Sequence, residues 1–347
     1  MNKLSVFLCL FCSLSPLFSW SKEVDCFDDP DLYSEEVQLS GFNHATNFDL
    51  GEYRAFLTKG LFFWQAQQEN MSPGLIRSTS SSALNSETIE LKQSYEPGFS
   101  IAGGYRTHHG DWQIQLGCTY FRSHVRSPNT SLSADSGKEV VPFWAHANHG
   151  LGAFLSEESN WKLHNYIFDG FLYRRYYVGE LLLFSTQIGL RSYLCNQKFL
   201  VKYAGPSTTL ESYNAADSWN FGPRWAASSS WFLGSGLRLI GKTGASLAYA
   251  KYTLSHNEKN STNTTIFKIK DDRYRLASAA ELSAGIGWGA SFFQQTFHLD
   301  LELSYDLLAL FGQNMMQPLI APFAVSFEKS SQTLYLQGFT FIMRSDF

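Results

Sequence analysis

The chain has 347 residues, 31 acidic against 27 basic, a formal net charge of -4, and only 17% charged residues beside 44% hydrophobic and 16% aromatic ones. Soluble globular domains carry about 25% charge, yet a mean hydropathy of -0.18 is far from that of a bundle of membrane helices. The charge balance excludes a nucleic-acid footprint. Scarce charge and middling hydropathy together suit apolar residues alternating with polar ones, in a membrane barrel or a soluble sandwich.

At the start, Lys3 precedes an apolar stretch over 4–17 broken by Ser13, Ser15 and Pro16, with small residues at Ser19 and Ser21. This reads as a signal peptide over 1–21, cleaved after Ser21, since the stretch is too short and interrupted for a helical span. Residues 22–52 read as an acidic periplasmic leader, with Glu23, Asp25, Asp28, Asp29, Asp31, Glu35 and Glu36 against Lys22 alone up to position 36. Residues 53–347, nearly neutral and without twenty consecutive apolar residues, read as an outer-membrane β-barrel. Of five cysteines, Cys9 and Cys12 leave with the signal. Cys26, Cys118 and Cys195 are an odd number without metal spacing, and free thiols are expected.

Period-2 alternation marks ten strands, at 54–67, 88–107, 111–124, 161–177, 181–203, 217–232, 236–255, 272–291, 296–311 and 333–347. In the third, Trp112, Ile114, Leu116, Cys118 and Tyr120 oppose Gln113, Gln115, Gly117 and Thr119. In the sixth, Trp219, Phe221 and Trp225 oppose Asn220, Gly222 and Arg224. In the seventh, Leu237, Leu239, Leu247 and Tyr249 oppose Arg238, Lys242, Gly244 and Ser246. In the eighth, Leu276, Leu282, Ile286 and Trp288 oppose Arg273, Arg275, Glu281 and the glycines Gly285, Gly287 and Gly289, which suit crowding or a bend. In the ninth, Leu299, Leu301, Leu303 and Tyr305 alternate with Asp300, Glu302, Ser304 and Asp306. The lengths fit tilted strands crossing a bilayer, about 9–11 residues each.

The connections alternate too. Short turns fall at 108–111, 178–180, 233–236 and 292–296, and long polar loops at 69–85, 126–160, 205–216, 256–271 and 312–332. Outer-membrane barrels have short periplasmic turns and long outer loops. The expected fold is therefore all-β, an antiparallel transmembrane barrel of about ten strands. The range is 10–14, because 266–270 or 320–327 could add a hairpin. Whether loop 126–160 is displayed or folds in as a plug stays open. Trp64, Trp112, Tyr120, Trp161, Tyr176, Tyr177, Trp219, Trp231, Phe292 and Phe293 are expected to form interfacial girdles. The last strand puts Tyr335, Phe339, Phe341, Met343 and Phe347 on one face, and its Phe347 resembles the recognition signal of the barrel-assembly machinery.

Several ordered stretches carry a family resemblance. They include Phe62-Phe63-Trp64-Gln65-Ala66-Gln67-Gln68-Glu69, Glu96-Pro97-Gly98-Phe99, Asp111-Trp112 and Ile188-Gly189-Leu190-Arg191. Later come Phe221-Gly222-Pro223-Arg224, Trp231-Phe232-Leu233-Gly234, Phe311-Gly312-Gln313-Asn314-Met315 and Gln337-Gly338-Phe339-Thr340-Phe341. On these, 57–347 resembles the Legionella major outer membrane protein-like, pore-forming family, which also occurs in chlamydiae. The chain departs from the family pattern at Tyr173, where a glycine tends to precede the arginine. The resemblance implies an outer-membrane barrel with channel activity and offers no catalytic residues.

By parity, Arg106, Arg191, Arg224, Arg238, Lys242, Arg273, Arg275, Glu281, Asp300, Glu302 and Asp306 are the candidate lumen-lining residues. Opposed charged strips would filter solutes; alternatively, neighbouring strands pair these charges into a packed interior, which ten strands also permit. The expected function is porin-like passive diffusion of small hydrophilic solutes. The alternative is a structural or adhesive surface barrel with a filled lumen. A rim protease would need a histidine beside acids, for which Asp306 and His164 are conceivable. His146 and His149 lie three apart without a third ligand, so no metal, cofactor or catalytic group is assigned. The expected partners are outer-membrane lipid, the assembly machinery and small solutes.

Overall fold

The computed structural model describes residues 55–78, 86–107, 112–146, 154–179, 181–292, 297–316 and 332–347. The proposed signal and leader with Cys26, the segment 320–327, His149 and Phe293 lie outside them. The strands in chain order are β1 (Ala55–Gln68), β2 (Gly74–Ser78), β3 (Ser86–Thr88), β4 (Tyr95–Arg106), β5 (Trp112–Arg126), β6 (Thr130–Ser131) and β7 (Lys138–Pro142). They continue with β8 (Ser156–Val178), β9 (Leu182–Ala204), β10 (Thr209–Gly234), β11 (Leu237–Asn260), β12 (Thr265–Phe292), β13 (Phe297–Leu310) and β14 (Leu334–Asp346).

Ten of these close a ring in the order β1-β4-β5-β8-β9-β10-β11-β12-β13-β14, every pair antiparallel. β14 returns to β1 from Phe56↔Asp346 to Gln68↔Leu334, so no barrel strand offers a free edge. A closed ladder satisfies its own backbone groups, which is what hydrocarbon demands. Side chains follow the pleat. Leu61 and Phe63 of β1, Ile188 of β9, Leu276 and Leu282 of β12, and Phe339 of β14 all point outward and are more than half exposed. Their strand neighbours face the interior. This apolar outer wall is the lipid surface of a membrane barrel. Among the described residues no helix is long and apolar enough to cross a membrane.

Three boundaries differ from the sequence expectation. Segments 205–216 and 256–271, expected as long loops, are mostly strand. β9 and β10 stay paired up to Ala204↔Thr209, and β11 and β12 up to Lys259↔Thr265. Above the membrane both faces of a strand can be polar, so hydropathy loses its alternation while the backbone ladder continues. Conversely, the strand expected at 88–107 starts at Tyr95, because Ser86–Thr88 pairs elsewhere.

That elsewhere is a plug. β3, β2 and β7 form a small antiparallel sheet, so residues of the first and second outer loops share one body. Next to it, the Trp144 ring lies 4.8 Å from Phe199, and its Nε1 donates to the Ser72 carbonyl at 2.9 Å. Tyr203 donates its hydroxyl to the Pro73 carbonyl and stands 3.4 Å from the Trp144 amide. Phe199 and Tyr203 are inward residues of β9. Two strands further round the ring, the His146 amide donates to Glu258 Oε1 of β11 at 2.8 Å. The segment after β13 also turns inward. Gln313 donates to Ser218 Oγ of β10 at 2.9 Å, while Met315 and Met316 are buried. One apolar cluster, including Trp144, Phe199, Leu254, Met316 and Leu336, fills the outer half of the barrel.

This filling corrects the girdle assignment at two positions. Trp64 and Trp161 are 8% and 1% exposed and point inside, where they belong to the apolar cluster. Trp112, Trp219, Trp231 and Phe292 are exposed on the outer wall as expected.

Candidate functional site

Below the plug the interior turns polar. A cavity of about 180 Å³ is bounded by Trp64, Asp169, Arg191, Arg224, Glu281 and Asp306, among others. Inward positions of β8, β9, β10, β11, β12 and β13 supply its charges.

The charges are paired, and the pairs reach across strands. Arg191, 6% exposed, donates through Nη2 to Asp169 Oδ2 at 2.8 Å and forms an ion pair with Glu281. Its Nη1 also meets the Tyr193 hydroxyl at 2.8 Å. Arg224 donates through Nε to Glu281 Oε1 at 3.1 Å and through Nη2 to the other carboxylate oxygen. Its guanidinium lies 4.3 Å from the Phe171 ring. Arg238 pairs with Asp300, and Lys242 with Glu302.

Glycines make these reaches possible. β11 stands between β10 and β12, and its inward Gly244 pairs with Ala226 on one side and Glu281 on the other. With no side chain there, Arg224 and Glu281 meet over it. β12 stands between β11 and β13. A Cβ on its Gly287 would lie 2.9 Å from Arg238 Nε, so the bare position is the passage by which Arg238 reaches Asp300.

Asp306 is held differently. It accepts from Ser304 Oγ at 2.9 Å and from the Thr340 hydroxyl, which itself accepts from Trp64 Nε1 at 3.0 Å. Among the described residues no cation pairs with it. Arg224 Nη1 is the converse, a buried donor with no protein acceptor.

Nearer the short-turn end, Arg344 of β14 crosses to the other wall. It donates to the Tyr173 hydroxyl of β8 at 3.0 Å and to Asp346 at 2.9 Å, with its guanidinium 3.8 Å from the Phe56 ring. Tyr173 in turn donates to Gln113 of β5.

Of the eleven candidates named from sequence, the structure gathers Arg191, Arg224, Lys242, Glu281 and Asp306 around the cavity. Glu302 and Asp300 stand just below as partners of Lys242 and Arg238. Arg106 is half-buried at the short-turn end of β4. Arg273 and Arg275 lie beyond the outer end of β13, whose pairing with β12 stops at Ala279↔Leu310, and do not join the group. There Arg273 meets Asp271 at 2.6 Å and Arg275 meets Met315 Sδ at 3.2 Å. Asp169, Arg344 and Thr340 are the partners that parity alone did not single out. Asp306 and His164 face opposite sides of the wall, so that pair is not assembled. Cys118 faces outward and Cys195 inward, both as free thiols. The last residue, Phe347, is exposed and exchanges backbone hydrogen bonds with Ala55 at 3.0 and 3.1 Å.

A closed antiparallel barrel with an apolar outer wall and paired charges inside is a transmembrane barrel of the bacterial outer membrane. More narrowly, the chain belongs to the family described as the Legionella pneumophila major outer membrane protein precursor, whose model matches residues 48–347, and it is an outer-membrane protein. No curated protein matches it. Among solved structures it is similar to the outer membrane protease OmpT from Escherichia coli, at 8% identity and a TM-score of 0.39, covering 84% of this chain and 95% of that one. It is also similar to a Pseudomonas aeruginosa FadL homologue, at 7% identity and a TM-score of 0.30, covering 85% and 90%. A third is Ail, the attachment invasion locus protein of Yersinia pestis, at 9% identity and a TM-score of 0.20, covering 85% and 98%. At such values no residue role passes from them to this chain.

Proposed function

We propose that the protein is a gated, porin-like passage for small hydrophilic solutes, described here with its plug in place. The observation that carries this reading is the polar chamber itself. It has room for on the order of ten waters, and its wall offers the Arg224 Nη1 donor and the Asp306 carboxylate, which have no ion partner among the described residues for that atom or that group. Buried polar groups of this kind are satisfied by water or by a solute. Movement of the plug would join the chamber to the outside, and release of Arg344 from Tyr173 would join it to the periplasm. The same reading takes 1–21 as an export signal, 22–52 as a periplasmic leader and Phe347 as a contact for the assembly machinery.

One observation favours a second reading, a structural or adhesive barrel that displays its outer loops: the apolar cluster that fills the outer half of the barrel. Planar-bilayer recordings separate the two. The wild type and Trp144→Ala, which removes the largest plug side chain packed on β9, are compared in the same salt. The passage reading expects stepwise currents, longer and more frequent in the variant. Silence from both, with correctly folded protein inserted, leaves the filled barrel.

A further inference from the structure

The outer wall of β5, β8 and β9 changes character above its apolar belt. The last outward aromatics of that belt are Tyr120 of β5 and Tyr166 of β8, with ring centroids 4.8 Å apart. One outward position higher on β5 comes Arg122, followed by His124 and Arg126. The strand register aligns these with their neighbours. His124 of β5 lies beside Lys162 of β8, which lies beside Lys198 of β9. Lys92 adds a further cation, since it bridges to Arg126 and so shares its face.

This is an unbalanced surface. Arg122, Lys162 and Lys198 are exposed, and among the described residues none has a carboxylate within ion-pairing reach. Acids flank the patch at its edges: Glu158 on β8 beside Lys202, Asp217 on β10 beside Asn196, and the exposed Glu90 two residues before Lys92. On the outer wall away from the patch, two lysines do have carboxylate partners. Lys202 pairs with Glu211 at 3.0 Å and Lys251 with Asp272 at 2.9 Å. Like charges placed directly opposite on adjacent strands, as Lys162 and Lys198 are, repel one another. Such a row is stable where an anion lies over it. Neighbouring strands are about 4.8 Å apart, so the row from His124 to Lys198 spans roughly 10 Å.

Height identifies the anion. On β5 the apolar wall runs from Trp112 to Tyr120. At about 3.3 Å per residue and a tilt near 40°, it rises roughly 20 Å, most of the hydrocarbon band of about 25 Å. The cations therefore stand at the level of the headgroups of the outer leaflet. We infer that the Arg122–Lys162–Lys198 patch binds the phosphate groups of a phosphorylated glycolipid of the outer leaflet, lipid A in chemistry. Arg122 offers a planar fork to phosphate oxygens, and the lysines act as mobile point charges. The aromatic pair below packs on the acyl chains of the same molecule.

Binding of lipid A to the folded full-length protein in detergent is the test, with fully dephosphorylated lipid A, and inorganic phosphate as competitor. Wild-type protein is expected to bind lipid A, to bind the dephosphorylated lipid at least roughly ten-fold more weakly, and to lose affinity as salt rises. The variant R122Q/K162Q/K198Q is expected to bind lipid A at least roughly ten-fold more weakly, while K251Q/K268Q on the far wall matches wild type. Equal binding of the two lipids by wild type overturns the inference, as does full binding by the triple variant. Displacement by millimolar inorganic phosphate would mark a simple anion site and overturn it as well. The comparison of the two lipids uses wild type alone, so it decides the matter even where a variant fails to fold.

Discussion

Arg224 on β10 and Glu281 on β12 are bonded through two nitrogens and both carboxylate oxygens, across an intervening strand whose inner face is bare at Gly244. The ion pair and the glycine are one device. A Cβ at Gly244 would lie 3.2 Å from the Ala226 Cβ and 3.5 Å from Glu281 Oε2. Gly244→Ala should therefore be borne with a small loss. Gly244→Leu should push Glu281 away and destabilise the barrel by about 3–5 kcal/mol, the usual cost of breaking a buried pair. Urea unfolding in lipid vesicles, followed by tryptophan fluorescence, measures the difference. Equal stability of the two variants would show that the pair does not need the gap.

Glu281 also serves Arg191, which keeps Asp169 as a second carboxylate, whereas Arg224 pairs with Glu281 alone among the described residues. Glu281→Gln should leave Arg224 without a carboxylate in a low-dielectric interior, while Arg191 retains Asp169, and cost about 3–5 kcal/mol. Replacing the carboxylate and one dependent cation together, as Arg224→Met with Glu281→Met, should recover part of that loss, because an isosteric apolar pair needs no desolvation. A double-mutant cycle over these two positions gives the coupling. Additive losses would contradict the shared-carboxylate arrangement.

The ring and its polar lining were legible wherever lipid lies on one side of a strand and the polar chamber on the other. From β9 to β13 that contrast puts Arg191, Arg224, Lys242, Glu281 and Asp306 on one face by alternation alone. The contrast fails in the outer half, where plug and lipid are both apolar. There Trp64 and Trp161 look like girdle residues although they are buried inside. It fails again above the membrane, where 209–216 has water outside it and so reads as loop while remaining strand. The plug is a third kind of blind spot. β2 and β7 pair Leu75 with Val141, 66 positions apart in the chain, and short irregular strands carry no period long enough to announce such a partner. Arg344 and Tyr173 are linked only by the closure of the barrel, which depends on the whole strand count.

Two cysteines on the strands either side of β8 give a direct check of the wall. Cys118 stands on the outward face of β5 and Cys195 on the inward face of β9, where it is 1% exposed. In a Cys26→Ser background, the folded barrel in liposomes is treated with a small lipid-soluble maleimide or with a large charged one. The first should label Cys118 and spare Cys195, and the second should label neither until the protein is unfolded. Labelling of Cys195 by the charged reagent would mean that the outer half of the lumen is accessible from water.

The plug should be held at a definable point. Glu258, buried on β11, accepts the His146 amide at 2.8 Å and the His256 Nε2 contact at 2.8 Å, while His256 Nδ1 meets Asn214 Oδ1 at 2.7 Å. The side-chain nitrogen of Asn214 is spent on the Phe199 carbonyl and on Ser212, so its oxygen is the atom turned to His256. This chain of contacts ties residues 143–146 to three barrel strands. Hydrogen bonds to a charged group are worth about 1.5–3 kcal/mol. Glu258→Ala should thus raise the local opening of β7 and of residues 143–146 by roughly ten- to a hundred-fold, since local opening scales with the free energy lost. Hydrogen exchange read by mass spectrometry should show this gain at 138–146, with little change along β13 and β14. Faster exchange spread evenly round the ring would mean that Glu258 supports the barrel as a whole and does not act as the anchor of its plug.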